Sequence, residues 1–259
     1  MKITVSSLCK SYEGKKTTGT RRQITQALRD CSLETEGSGF TVVAGRSGCG
    51  KTTLLKIIAG LERADSGTVE FLPIKNSSTE NTAGNSVVPK IGFMFQDPRL
   101  LPWLSVEQNL ALAFRGPKSN AEKAAIREKI QQTLAMVGLA DRAASLPREL
   151  SGGMAQRCAL ARSLCREPDI LLLDEPLSSL DAFTRAKLRD ELERLWQHLG
   201  ITVILVTHDI EEAVFFGDRV FLMNEGAIEK ATTIPMPRPR DCRTAEFQEY
   251  CRKIEGMFF

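Results

Sequence analysis

Short apolar runs, rich in β-branched residues, alternate along the chain with longer segments whose apolar residues recur at helical spacing. The runs at 40–44, 91–95, 170–174, 202–207 and 219–223 are almost continuously apolar, as strands buried on both faces must be. Helical spacing predicts helices at 51–59, 106–114, 122–137, 154–165 and 182–199; in the last, Leu188, Leu192, Leu195 and Leu199 share one face. Alternation of this kind predicts an α/β fold with a mainly parallel sheet covered by helices. From about 97 to 150 the pattern is mostly helical, which points to a helical subdomain inserted into the sheet domain. The first five residues, Met1-Lys2-Ile3-Thr4-Val5, alternate like a strand.

Three stretches break the pattern. Residues 14–22 are polar and basic and read as an exposed hairpin loop, and 75–89 carry no apolar period and read as a solvent loop. The tail from Ile234, with three prolines in five residues, reads as an appendage rather than core. Composition adds limits. With 42% apolar and 26% charged residues in 259, the chain has a core, which excludes disorder and fibrous repeats. A net charge of +3 is too small to imply nucleic-acid binding, and Arg21-Arg22 and Arg238-Pro239-Arg240 read as solvated surface. No run approaches the roughly 20 apolar residues of a membrane-spanning helix, and the N-terminus lacks a signal-peptide pattern. Seven scattered cysteines without a Cys-x-x-Cys pair argue against disulfides or zinc and for a reducing, cytosolic setting.

The chemistry enters at Gly45-Arg46-Ser47-Gly48-Cys49-Gly50-Lys51-Thr52, which matches the phosphate-binding pattern G-x-x-x-x-G-K-[ST]. A predicted strand precedes it and a predicted helix, beginning with Thr53, follows. Glycines let the backbone wrap closely, so that its N–H groups and the helix N-terminus face phosphate oxygens. Lys51 then reaches the β- and γ-phosphates and the Thr52 hydroxyl ligates Mg²⁺. The strand at 170–174 ends in Asp174 and Glu175, at the edge where an open α/β sheet holds its ligand. Asp174 suits the Mg²⁺ side and Glu175 suits polarising a water. These features favour a nucleoside triphosphatase. Cys49, at a helix start, is expected to have a lowered thiol pKa, so that its alkylation blocks ATP binding.

A second anion-binding helix start follows in Leu150-Ser151-Gly152-Gly153-Met154-Ala155-Gln156-Arg157, with Ser151 as N-cap. One phosphate loop does not need a second grip in the same chain, but a head-to-tail pair of chains does. With this segment the sequence resembles the ATP-binding-cassette ATPases over nearly its whole length. Leu150 to Gln156 is similar to their signature motif, with Met154 where many members carry Gln. Tyr12 is placed like the aromatic that stacks on adenine, and Gln96 like the glutamine that contacts Mg²⁺ and the attacking water. Ser178-Ser179-Leu180-Asp181 resembles the D-loop and His208 the switch histidine.

The resemblance implies a P-loop NTPase core, RecA-like, with an N-terminal antiparallel β subdomain and a helical subdomain inserted at about 97–153. A single ATPase domain spans 1–233, and 234–259 is a short appendage. Two subunits, identical or related, sandwich two ATP molecules. Each ATP is held by Tyr12, by Gly45, Arg46, Ser47, Gly48, Cys49, Gly50, Lys51, Thr52 and Thr53, and by Ser151, Gly152, Gly153, Gln156 and Asp181 of the motifs that close the dimer. Thr52, Gln96 and Asp174 serve Mg²⁺. Glu175 is the catalytic base, with His208 and Gln96 beside the reacting groups. His198 is expected at the surface near a helix C-terminus. Leu100-Leu101-Pro102-Trp103 reads as a docking surface, or else Trp103 packs within the helical subdomain. Together with the signature variant and Arg238-Pro239-Arg240, it resembles the nitrate/sulfonate/taurine importer subfamily. The partners so implied are membrane permease subunits and, through them, a solute-binding protein, with this chain peripheral on the cytoplasmic face of the inner membrane. A soluble cassette ATPase, or one serving an export or lipoprotein-release complex, is the alternative.

Overall fold

The computed structural model describes residues 1–13, 24–73, 88–114, 116 and 119–258. The loop expected at 14–22, with Arg21 and Arg22, lies outside them, as does 75–87 of the second loop. The chain forms two compact units, Met1–Pro89 with Thr202–Phe259, and Lys90–Ile201.

The first unit opens with β1 (Lys2–Glu13), flanked on both sides by antiparallel partners, β2 (Ile24–Glu34) and a later strand, β4. Val5 stands opposite Leu33 on β2 and Val69 on β4. Ile3, Val5 and Leu8 are buried; past Val5 the register shifts at Ser7, whose φ of 50° marks a bulge. Between β2 and β4 (Ser66–Leu72) run β3 (Phe40–Gly45) and α1 (Lys51–Ile58). All of β3 is buried, which its continuous apolar sequence requires.

The second unit starts with β5 (Ile91–Met94), followed by α2 (Val106–Ala111), α3 (Asn120–Met136) and α4 (Gly152–Leu164). Ser105 and Ser119 start α2 and α3 with capping boxes closed by Gln108 and Glu122. Then come β6 (Ile170–Asp174), parallel to β5, and α5 (Ala182–Leu199). Gly92 of β5 lies so close to α4 that a Cβ there would be 2.5 Å from the Ser163 carbonyl oxygen. Leu188, Leu192 and Leu195 of α5 are buried on one face.

The chain returns to the first unit through β7 (Thr202–Thr207), α6 (Ile210–Phe216), β8 (Arg219–Asn224), β9 (Ala227–Thr233) and α7 (Ala245–Phe258). Here β3 is central, parallel to β7 on one side and β8 on the other, with β9 antiparallel beyond β8. Phe40 and Phe216 stack at 4.9 Å between ring centroids. The α/β core with an antiparallel N-terminal sheet is thus the expected fold. The tail differs from its reading as an appendage. Phe247, Cys251 and Ile254 of α7 are buried where that helix packs on α6, and Ile234, Met236 and Arg240 ahead of it are buried as well. Among the described residues, no helix is long and apolar enough to cross a membrane.

Candidate functional site

In the first unit, β3 delivers the chain into the phosphate loop at Gly45. A Cβ on Gly45 would lie 2.4 Å from the Met223 carbonyl oxygen and 2.7 Å from Cys49 Sγ, so β8 leaves room for glycine only. Gly50, the N-cap of α1, has φ 109° and would place a Cβ 2.2 Å from the Ala27 carbonyl oxygen. The N-cap Gly50 has no side chain with which to cap α1, so it meets the helix start with backbone alone. The Gly226 N–H holds the loop from the β8–β9 turn by donating to the Cys49 carbonyl at 2.9 Å. Lys51 is 4% exposed; its Nζ donates to the carbonyls of Gly45 at 2.8 Å and Arg46 at 3.0 Å. Arg46, Ser47 and Gly48 are exposed, and Thr52 and Thr53 half-buried. Cys49 is buried rather than presented to solvent, which opposes fast alkylation.

Two further residues of this unit stand near the loop in register or contact. The Tyr12 hydroxyl at the end of β1 lies 3.5 Å from Thr53 Oγ1, and Lys10 Nζ sits 5.5 Å from its ring centroid. Burial, then a hydrogen bond to Glu62, pushes that hydroxyl's pKa above its ordinary value. Ala44 of β3 pairs with Thr207 of β7, so Gly45 and His208 leave the same edge of the sheet. His208 is exposed there.

In the second unit, β6 ends in Asp174, which is buried, and Glu175, whose φ of 44° turns the backbone sharply. A left-handed backbone is uncommon for a residue other than glycine and costs about 1–3 kcal/mol, strain typical of functional turns. Gln96, following β5, brings Nε2 within 3.3 Å of both Glu175 Oε2 and Ser178 Oγ. Gln156 of α4 is buried; its Nε2 donates to the Gln96 carbonyl at 2.9 Å and to Ser179 Oγ at 3.3 Å. Helix α4 thereby fixes the backbone of Gln96. Ser151 caps α4 by accepting from Met154 N at 3.3 Å, with Ser151 and Gly152 exposed. Gly153 is buried, and a Cβ there would lie 2.6 Å from Thr184 Cγ2 at the start of α5. Asp181 caps α5, accepting from Phe183 N at 3.1 Å and Thr184 N at 3.0 Å. Hydrogen bonds from Thr184 and Phe183 hold its carboxyl below the usual range.

The second unit therefore assembles Gln96, Glu175 and Gln156 into one network, while the first assembles Tyr12, the phosphate loop and Lys51. Ser178 and Ser179, which tie Gln96 and Gln156 to the turn after Glu175, belong to that network as well. Their signal was present in the sequence, in the pair of hydroxyls four and three residues after the second carboxylate. Trp103 is 71% exposed, which favours the docking reading over packing within the subdomain. His198 is exposed in the last turn of α5, as expected.

Residues 28–178 match the ABC transporter family. This chain belongs to that family. It is 48% identical over 232 residues, 88% of each chain, to the aliphatic sulfonates import ATP-binding protein SsuB 1 of Xanthomonas axonopodis pv. citri. With the SsuB protein of Pectobacterium atrosepticum it shares 45% over 222 residues, 86% of this chain and 77% of that one. Among solved structures, the dimeric ATP-binding cassette MJ0796 bound to ADP and Pi aligns with a TM-score of 0.72 at 31% identity. That alignment covers 91% of this chain and all of the other. CbiO1 of Clostridium perfringens, part of the ABC transporter complex cbiONQ, aligns at 0.69 and 28% identity over 90% and 88% of the two chains. The chain is an ABC-type ATPase.

Proposed function

We propose that this ABC ATPase drives an importer for aliphatic sulfonates, taurine among them, or for a small oxyanion such as nitrate. It works as a head-to-tail dimer on the cytoplasmic face of the inner membrane, through separate membrane subunits fed by a solute-binding protein. The solute class rests on the relatives at 48% and 45% identity. The hydrolytic role rests on one observation above the rest: Glu175, on a left-handed turn behind the buried Asp174, with the Gln96 amide 3.3 Å from its carboxylate.

In this reading the loop amides and Lys51 bind the β- and γ-phosphates and offset their charge. Tyr12 provides the face on which adenine stacks. Glu175 accepts a proton from the attacking water, and Gln96 and His208 hold water and γ-phosphate in line. Ser151, Gly152, Gly153 and Gln156, with Asp181, close the partner's site. Thr52, Asp174 and Gln96 offer a small set of hard oxygen donors. No cluster of three His, Cys, Asp or Glu suited to a metal exists among the described residues. Such a donor set fits Mg²⁺ held largely by phosphates and water rather than a metal caged by protein. When bound, Mg²⁺ neutralises charge on the β- and γ-oxygens.

Glu175→Gln should bind ATP, run as a dimer on size exclusion, and hydrolyse at least about 100-fold more slowly. Near-normal turnover in that variant would remove Glu175 from the chemistry. For the solute, deletion of the gene in its own host should abolish growth on an alkanesulfonate as sole sulfur source while sparing growth on sulfate. Equal growth on both would end the sulfonate assignment. A multi-span membrane protein should co-purify from mild detergent; ribosomes or repair proteins in its place would restore the soluble alternative.

A further inference from the structure

The tail after β9 makes contacts that this chemistry does not use. Arg240 is 5% exposed, and its guanidinium donates to five carbonyls. Nη1 reaches Val214 at 2.6 Å, Gly217 at 2.7 Å and Phe215 at 3.2 Å, Nη2 reaches Ile234 at 3.0 Å, and Nε reaches Met236 at 3.2 Å. Arg238 donates to the carbonyls of Phe215 and Phe216 and, at 2.8 Å, to the Asp218 carboxylate. Four of these acceptors, Val214, Phe215, Phe216 and Gly217, are the C-terminal end of α6. Carbonyls there lack partners within the helix, and the helix dipole is negative. Asp218 ties the pair to β3, since its Oδ2 accepts from Phe40 N at 2.8 Å.

The opposite end of α6 carries His208. Thr207 Oγ1 donates to the buried Glu212 Oε2 at 2.7 Å, and Asp209 N donates to that hydroxyl at 3.0 Å. Asp209 in turn caps the helix by accepting from Glu212 N at 3.2 Å. His208 stands between two residues pinned to the first turn of α6, so its backbone follows that turn. The helix has seven residues, about 10 Å at 1.5 Å per residue, and acts as a short rod whose ends move together. Helix α7 packs on it. Cys251 of α7 is buried facing this helix; burial pushes its thiol up to about 12, with the carboxylates of Glu211, Glu255 and Asp209 adding to the effect.

We infer that Arg238 and Arg240 position His208: they fix the angle of α6, on which α7 also packs, and so the way His208 meets the γ-phosphate. The inference rests on the role given to His208 above. Five acceptors converging on one planar fork suit arginine and not lysine, whose single ammonium has three donors.

Arg240→Lys tests it, because charge stays while the fork is lost. The chain has two histidines, so His198, in the other unit, is an internal reference for the His208 ring resonances. The expected result is a kcat lower by about tenfold with KM and nucleotide affinity within about twofold. His208 resonances should shift or broaden while those of His198 stay in place. Wild-type kcat, or a lower kcat with unmoved His208 resonances, overturns the inference. His208→Ala separates the two layers. Near-normal turnover there removes the role on which the inference stands. Lost turnover there, beside a fully active Arg240→Lys, overturns the inference alone. Should Arg240→Lys not fold, Arg238→Lys carries the same readouts, with a kcat effect of about threefold.

Discussion

The starts of α1 and α4 both carry glycines, just before the helix at α1 and as its first two residues at α4, yet they are finished in different ways. At α1 no side chain caps the helix, the glycines are dictated by backbone contacts with β2 and β8, and Lys51 supplies a buried cation. At α4 the Ser151 hydroxyl occupies the cap, Ser151 and Gly152 are exposed, and Gln156 rather than a cation stands one turn in. A helix end that brings its own charge can bind phosphate within its chain. One that offers a hydroxyl and amides at an exposed corner suits a phosphate presented by another molecule, as the proposed dimer requires.

The largest effect expected from this contrast is at Lys51. Lys51→Ala should reduce ATP binding and lower hydrolysis by about a thousandfold, measured by nucleotide titration and phosphate release. If binding survives, the claim that α1 needs its own cation is wrong. Ser151→Ala, by contrast, should leave monomer affinity for ATP intact. Turnover and ATP-induced dimerisation should fall by about tenfold, with a stability loss of about 1 kcal/mol from the missing cap. A weaker monomer affinity would contradict the division of labour between the two helix starts.

A smaller effect is expected from Gly153→Ala, whose new methyl meets Thr184 Cγ2 at 2.6 Å. It should cost about 1–3 kcal/mol in chemical denaturation, and Thr184→Ser, which removes that methyl carbon, should restore most of the loss. An unrecovered double variant would place the strain elsewhere. The smallest effect is at Asp181, whose carboxyl is held below its ordinary value of 3.8 by hydrogen bonds from Thr184 and Phe183. A depressed folded pKa means the unfolded chain binds more protons, so the stabilisation is present above about pH 4 and is lost as pH falls through the folded value. Urea midpoints of the parent and Asp181→Asn should therefore converge below pH 4; parallel curves would show that the carboxylate is not what caps α5.

Much of the fold was legible. The strands at 170–174 and 202–207 coincide with β6 and β7, because strands buried on both faces leave a run of apolar residues that nothing else of that length imitates. Helix α6 was not legible. Its Ala213, Val214, Phe215 and Phe216 are all buried, and a helix of seven residues, two of them glutamates in its first turn, is too short for a helical period to repeat. Strand β9, an edge strand of mostly exposed polar residues, gave no run to detect. In α7 the buried Phe247, Cys251 and Ile254 do fall at helical spacing, but the prolines ahead of them directed the reading toward a loose tail. The site divides likewise: the phosphate loop follows from glycine spacing, whereas the pairing of Gln96 with Glu175 joins residues 79 positions apart.

By itself the sequence determined the class of chemistry, since a strand, a glycine loop and Lys51 can be arranged around a phosphate in essentially one way, and local backbone rules govern every step of it. It also determined the family to which the chain belongs. Only the tertiary structure decided where Arg238 and Arg240 go. Two arginines among prolines look solvated from their neighbours alone; most of the carbonyls that take them up belong to the end of α6, 22 or more residues earlier. A charge is buried where acceptors converge on it, and that convergence is a property of packed elements, not of any one segment.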